Sequence, residues 1–154
     1  MTDLPDRAAQ YHTLGKPMPD SISILLLTPD LMVSSRIAGG AAAIPATVEA
    51  LGPAAAAPRG GPFAVIVVDL QVNGRTATAL VERAKGFRDT QTAAGAERAA
   101  IIAFGPHVAL DRLTEAAEAG ADLVVSRGEL LGALPAVVER VRSAVQKGRA
   151  DGSG

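Results

Sequence analysis

One short segment constrains the fold of this chain more than any other. Residues 63–69 read Phe-Ala-Val-Ile-Val-Val-Asp, an uninterrupted apolar run rich in β-branched residues that ends at the carboxylate of Asp69. A run without polar alternation predicts a strand buried on both faces, as in a parallel sheet with helices above and below. In such folds, ligands bind beyond the carboxyl ends of the strands. Asp69 therefore marks the edge of the sheet where a functional site is expected.

The composition excludes several classes of function. The chain has 154 residues, enough for one domain with a substantial core. It has no cysteine and only two histidines, which excludes disulfides, a cysteine nucleophile, and thiolate or multi-histidine metal sites. The formal net charge of -1 provides no basic excess for binding nucleic acid or an anionic membrane. Because the N-terminus has neither a membrane-spanning run nor a basic signal region, a cytoplasmic location is expected.

Apolar periodicity divides the chain into alternating strands and helices. Strands are predicted at residues 22–27, 46–51, 63–68, 99–104 and 122–125. Helices are predicted at residues 31–43, 75–87, 108–119 and 134–147. Residues 52–62 are expected to hold at most one helical turn, and residues 88–97 to be loose. A flexible arm is expected over residues 1–20 and a disordered tail over residues 148–154, which leaves one domain over residues 21–147.

This alternation predicts a doubly wound α/β fold with a five-stranded parallel sheet, because parallel strands need crossover connections. The expected strand order is 2-1-3-4-5, as in flavodoxin-like proteins. The switch point then falls between the first and third strands. Thr28, Pro29 and Asp30 are therefore predicted to face Asp69 across a crevice.

Four segments, in this order and spacing, resemble the receiver domain of bacterial two-component response regulators (CheY-like). The resemblance covers about residues 22–147. The segments are Ile24–Asp30 (ILLLTPD), Val65–Leu70 (VIVVDL), Ile101–Gly105 (IIAFG) and Ala119–Arg127 (AGADLVVSR). The last is the sharpest, because AGAD followed by a short apolar strand and a basic residue is a common receiver feature.

The resemblance implies a role for each matching position. Receivers accept a phosphoryl group on the aspartate that ends the third strand, which matches Asp69. They hold Mg²⁺ with an acidic pair after the first strand, where Asp30 is the one candidate, so Asp30 and Asp69 are the possible metal ligands. Receivers carry Thr or Ser after the fourth strand, where this chain has Gly105, and Lys after the fifth, where it has Arg127. These two losses resemble the divergent or pseudo-receiver type.

Several local interpretations stay open. Asp69 is either a phosphoacceptor or a strand-end residue that caps a turn. Asp30 is either a metal ligand or, as favoured, the N-cap of the following helix. Arg127 is expected to form a salt bridge with Asp69 rather than to bind phosphate. His107 is interpreted as an ordinary surface histidine near the edge of the site.

The leading functional hypothesis is a stand-alone receiver-like signalling domain that is not an enzyme. It would bind another signalling protein, such as a histidine kinase or phosphotransferase, or form a homodimer, without obligatory phosphorylation. Receivers bind partners and form dimers with the face made by their own fourth helix, fifth strand and fifth helix. The resemblance implies that this face is used here. Val138 and Val141 lie on the wide apolar stripe of the last helix. They are expected to lie at the edge of this stripe that contributes to a homodimer or partner contact.

Two alternatives remain. The first is a phosphorylatable response regulator that uses Asp69 with Mg²⁺, although no cofactor is required by the leading hypothesis. The second is a flavodoxin-like small-molecule binder or enzyme that uses the same crevice. The lack of a phosphate-cradling glycine loop argues against this second alternative.

Overall fold

Five parallel strands form the centre of the fold in this computed structural model, which describes the backbone of residues 21–153 and the side chains of residues 21–147. The strands are β1 (Ile22–Leu27), β2 (Ala46–Leu51), β3 (Val65–Asp69), β4 (Ala100–Gly105) and β5 (Leu123–Ser126). Their order in the sheet is β2-β1-β3-β4-β5, and every neighbouring pair is parallel. The predicted fold class and strand order are confirmed.

Within residues 21–153, five helices cover the two faces of this sheet. They are α1 (Leu31–Ala41), α2 (Ala77–Ala93), α3 (Leu110–Ala119), α4 (Arg127–Gly132) and α5 (Leu134–Ser153). Residues of α1, α4 and α5 pack in one core cluster, and residues of α2 and α3 pack in the other. The central strand β3 contributes side chains to both clusters. Val65 and Val67 face the first cluster, and Ile66 and Val68 face the second. This is why its sequence shows no polar alternation.

The helix α2 continues to Ala93, so the loose segment predicted over residues 88–97 is wrong for its first part. The side chain of Gln91 explains the extension. Its Oε1 accepts a hydrogen bond from the Phe63 backbone N–H at 2.9 Å, and its Nε2 donates to the Phe63 carbonyl at 2.8 Å. A contact between residues so distant in sequence stabilises the last turns of α2.

The connection between β2 and β3 contains no helix, so this parallel crossover is made by a loop over residues 52–64. Side chains from neighbouring elements hold the loop in place. Arg83 of α2 donates from Nη2 to the carbonyls of Gly52 and Ala55, both at 2.8 Å. The carboxylate of Glu49 accepts from the backbone N–H groups of residues 59 and 60, at 2.7 and 2.8 Å.

The carboxyl-terminal part differs from the prediction at two points. The short helix α4 was not predicted, and it begins where the Ser126 hydroxyl accepts a hydrogen bond from the Glu129 N–H at 3.1 Å. The helix α5 runs to Ser153, so the backbone of residues 148–153 is helical where a disordered tail was predicted. The predicted arm over residues 1–20 lies outside the described residues.

The apolar stripe of α5 belongs to the core. Val138 is 2% exposed and Val141 is fully buried, and both pack in the cluster beneath α1. Leu134 and Val137 lie in the same cluster. The expectation that Val138 and Val141 reach a partner surface is therefore wrong, because α5 packs with the full width of its stripe against the sheet.

Candidate functional site

The carboxylate of Asp69 ends β3 and is buried, with 1% of the residue exposed. Its Oδ2 accepts a hydrogen bond from the Thr28 hydroxyl at 2.6 Å. Its Oδ1 accepts a hydrogen bond from the backbone N–H of Gln71 at 2.9 Å. Both carboxylate oxygens therefore have a partner within the protein, as a buried carboxylate requires.

Thr28 connects the two loops that border the crevice. It follows β1 directly, and the pairing of Leu27 with Val68 brings it beside Asp69. Its hydroxyl oxygen also accepts a hydrogen bond from the Asp30 N–H at 3.1 Å. The predicted meeting of residues 28–30 with Asp69 is confirmed, with Thr28 as the residue that makes the contact.

Asp30 is the N-cap of α1. Its Oδ1 accepts hydrogen bonds from the N–H groups of Met32 at 2.8 Å and Val33 at 3.4 Å. This arrangement satisfies backbone donors that would otherwise lack a partner in the first turn. The favoured interpretation of Asp30 as a cap is confirmed by this geometry.

Arg127 contacts the rim of the site. Its Nη1 donates to Oε1 of Gln71 at 2.9 Å, and its Nη2 lies 3.8 Å from Oδ2 of Asp30. The expected salt bridge with Asp69 is wrong, because the guanidinium of Arg127 lies against Gln71 and Asp30 while the carboxylate of Asp69 is buried. Arg127 instead links the start of α4 to the loops that follow β1 and β3.

Gly105 ends β4 at the position of the receiver hydroxyl and has no side chain that could respond to Asp69. A Cβ built there would lie 3.7 Å from Leu113 Cδ2 and 3.7 Å from Leu70 Cβ, which is ordinary van der Waals contact. The backbone therefore leaves room for a small side chain, although the sequence supplies none. The nearby His107 is exposed, in agreement with its interpretation as a surface histidine.

Sequence reasoning missed the role of Arg112 on α3. Its Nε donates to the Leu70 carbonyl at 3.0 Å, and its Nη2 donates to the same carbonyl and to the Arg75 carbonyl at 3.2 Å. Arg112 thereby fixes the loop that follows Asp69. No local sequence signal marks it, since one arginine on a polar helix face resembles any other.

The acidic residues of the site do not fit an ion held by a pair of carboxylates. Asp30 is used as a helix cap and faces Arg127, while both oxygens of Asp69 already accept hydrogen bonds. Mg²⁺ prefers a near-octahedral shell of oxygen ligands. Within residues 21–147 there is no group of three or more His, Cys, Asp and Glu side chains placed to hold a metal. Whether Mg²⁺ binds stays a prediction to be tested.

The middle of α3 is bound to the start of α2. Oε2 of Glu115 accepts hydrogen bonds from the Thr78 hydroxyl at 2.7 Å and from the Thr78 N–H at 2.8 Å. These two bonds lower the pKa of Glu115, with the hydroxyl contributing most.

None of the helices in the described part of the chain is long and apolar enough to cross a membrane.

Solved structures of bacterial response regulators share this fold. NtrX from Brucella abortus superposes with a TM-score of 0.62 at 15% identity, over 86% of this chain and 29% of NtrX. The receiver domain of the Francisella response regulator 1452 has a TM-score of 0.57 at 11% identity, over 80% and 98% of the two chains. A response regulator from Burkholderia pseudomallei, solved with a phosphorylated aspartic acid, a calcium ion and citrate, has a TM-score of 0.57 at 17% identity, over 86% and 75%.

These similarities show that the chain has the receiver fold, which the resemblance in sequence predicted. The chain spans less than a third of the length of NtrX, of which 29% is covered. No protein-family model matches the sequence, and no curated protein matches it.

Proposed function

We propose that this chain is a receiver-like signalling domain that acts by binding another protein and does not require phosphorylation. The receiver fold supports the signalling role. One observation carries the proposal beyond the fold, namely that the buried carboxylate of Asp69 has both oxygens engaged, by the Thr28 hydroxyl and the Gln71 N–H. An incoming phosphoryl group would compete with the Thr28 hydroxyl for Oδ2.

The residues around Asp69 also lack the parts that would transmit phosphorylation. Gly105 offers no hydroxyl to follow a phosphoryl oxygen, and the guanidinium of Arg127 is engaged by Gln71 and Asp30. A planar guanidinium does not replace a lysine ammonium, which is a compact point charge on a flexible stem. A phosphoryl group on Asp69 would therefore have no moving side chain to couple it to the surface.

The proposed contact surface is the carboxyl edge of the sheet. Four large apolar side chains are conspicuously exposed there, directly after β1 and directly after β4. They are Leu31 at 84%, Met32 at 67%, Val108 at 76% and Leu110 at 66%. Large apolar side chains that are exposed at one edge of a sheet are typical of a surface that a partner covers.

A titration with beryllofluoride and Mg²⁺ tests whether phosphorylation is used. We expect the amide resonances of Gln71 and Gly105 to stay unchanged in the parent protein at beryllofluoride concentrations that saturate a standard receiver domain. Saturable shifts that disappear in Asp69→Asn would contradict the proposal.

The second candidate function is a phosphorylatable response regulator. It is favoured by the position of Asp69 at the end of β3, and the structurally similar Burkholderia pseudomallei protein has a phosphorylated aspartic acid. Thr28→Ala separates the two candidates, because it removes the hydroxyl that occupies Oδ2. If the parent protein reacts with acetyl phosphate as fast as Thr28→Ala does, the hydroxyl is no barrier and the second candidate is preferred.

A further inference from the structure

A cleft next to the Asp69 crevice is lined by arginine side chains that the proposed function does not use. It lies between the β3–α2 loop and the β4–α3 loop and has a volume of about 340 Å³. Its lining residues are 70–75, Pro106, Ala109 and Arg112. Asp69 is not among them, and none of the described residues that line the cleft is acidic.

The two arginines of the cleft keep donors available. The hydrogen bonds of Arg112 to the loop carbonyls use only Nε and Nη2, so they leave Nη1 unused. The side chain of Arg75 makes no hydrogen bond or ion pair with the described residues. The backbone of Arg75 is nevertheless fixed, because its carbonyl accepts from Arg112 at 3.2 Å and its N–H donates to the Val72 carbonyl at 3.3 Å.

Arg83 is a further positive charge near this cleft, although it does not line it. The pKa of Arg83 is lowered, chiefly by burial and then by the charge of Arg75, so the two guanidinium groups influence each other. The chain as a whole has a formal net charge of -1. Arg75 and Arg112 are the arginines that line the cleft, whereas Arg83 binds the β2–β3 loop. The charge of Arg112 also acts on Glu115, whose pKa it helps to lower.

We propose that this cleft binds a small molecule that carries phosphate groups. Arginine guanidinium groups bind phosphate oxygens through charge-assisted hydrogen bonds. In this cleft Arg75 offers a guanidinium that makes no hydrogen bond with the described residues, and Arg112 adds the donors of Nη1. Gln71 and Asn73 add neutral side-chain amides to the lining. The volume lies in the range of small-molecule sites, and a concave cavity of this size suits a small ligand better than a protein surface.

Titration of the full chain with sodium pyrophosphate at constant ionic strength tests the site. We expect saturable shifts in the amide resonances of Gly74 and Ala109. Arg75→Gln should weaken pyrophosphate binding about tenfold, as expected for the loss of a charge-assisted hydrogen bond. This variant should fold normally, because the side chain of Arg75 is exposed and makes no hydrogen bond or ion pair with the described residues. Arg59→Gln is the matched control, since Arg59 is exposed in the loop between β2 and β3 and does not line the cleft.

Three results would overturn the proposal. The first is the absence of saturable shifts at millimolar pyrophosphate. The second is an equal loss of affinity in Arg75→Gln and Arg59→Gln, which would indicate general attraction of anions to the surface. The third is citrate binding at least as tight as pyrophosphate binding at equal ionic strength, which would mean that the cleft does not select phosphate. None of these results depends on whether Asp69 is phosphorylated, so the proposal is tested independently of the signalling function.

Discussion

The Thr28 hydroxyl donates a hydrogen bond of 2.6 Å to Oδ2 of Asp69, and both groups are buried at the carboxyl edge of the sheet. The two residues follow or end adjacent parallel strands, β1 and β3. This hydrogen bond occupies one acceptor site of the carboxylate oxygen Oδ2. The stability of the domain therefore depends in part on a hydrogen bond to its candidate phosphoacceptor, Asp69.

Removal of the Thr28 hydroxyl should destabilise the fold. Thr28→Ala leaves the buried Asp69 carboxylate with one fewer donor, which we expect to cost about 1–3 kcal/mol of unfolding free energy. Thr28→Ser keeps the hydroxyl and should lie closer to the parent protein. Urea denaturation measures the difference, with Thr47→Ala as the control because Thr47 is exposed on β2. Equal stabilities for Thr28→Ala and Thr47→Ala would show that the hydrogen bond contributes nothing.

Asp69→Asn should leave partner binding and in-cell function nearly intact. The reason is that Gly105 and Arg127 provide no path by which a charge at Asp69 could change the surface. Complementation of a deletion strain, with the amount of folded protein checked, measures this. A folded Asp69→Asn protein with a defect as severe as the deletion would show that phosphorylation is essential.

Mg²⁺ should bind weakly. Among the described residues, Asp30 and Asp69 are the candidate carboxylates at the crevice, and Asp30 is engaged in capping α1 and lies near Arg127. Isothermal titration calorimetry should detect no micromolar site in the parent protein. Micromolar binding that disappears in Asp69→Asn would contradict this expectation and support the phosphorylatable alternative.

Val138→Ala and Val141→Ala should each reduce stability without changing association. Both side chains are buried in the core, and truncation of a buried valine costs on the order of 1–3 kcal/mol through lost burial and cavity formation. Thermal denaturation and sedimentation measure the two effects separately, with Arg142→Glu as a charge change on the same helix. A valine variant that keeps its melting temperature but loses self-association or partner binding would show that α5 forms an interface.

The pairing of Glu115 with Thr78 should make stability depend on pH. The hydrogen bonds from Thr78 lower the pKa of Glu115 below its ordinary value of 4.5. The stabilisation is therefore fully present above pH 4.5 and is lost as the pH falls through the lowered pKa of the folded state. Glu115→Gln should remove this part of the pH dependence, while Glu118→Gln on the same helix should not. Unfolding free energies at neutral and acidic pH, compared among the three proteins, provide the measurement, and an identical pH profile in Glu115→Gln would refute the assignment.

The sequence by itself determined the strands, their order and the edge that carries Asp69. The order of the strands was predicted from the strand–helix alternation, by analogy with flavodoxin-like folds. The strands follow from local patterns, because a buried parallel strand must be apolar on both faces. The cap formed by Asp30 was predicted for the same reason, since capping involves only residues within one turn. Local rules were weaker at element ends, where α2 continues beyond its apolar pattern to Ala93.

Only the tertiary structure decided which side chains contact Asp69 and which contact Arg127. Thr28 is 41 positions from Asp69, and Gln71 is 56 positions from Arg127, so no local pattern relates them. The burial of Val138 and Val141 depends likewise on how α5 lies against the sheet, because a wide apolar stripe alone does not reveal what covers it. Arg112 reaches the Leu70 carbonyl across 42 positions, and that contact exists only because α3 packs beside the loop that follows β3. Contacts between side chains that are distant in sequence require the packed chain, whereas strand burial and helix capping follow from neighbouring residues alone.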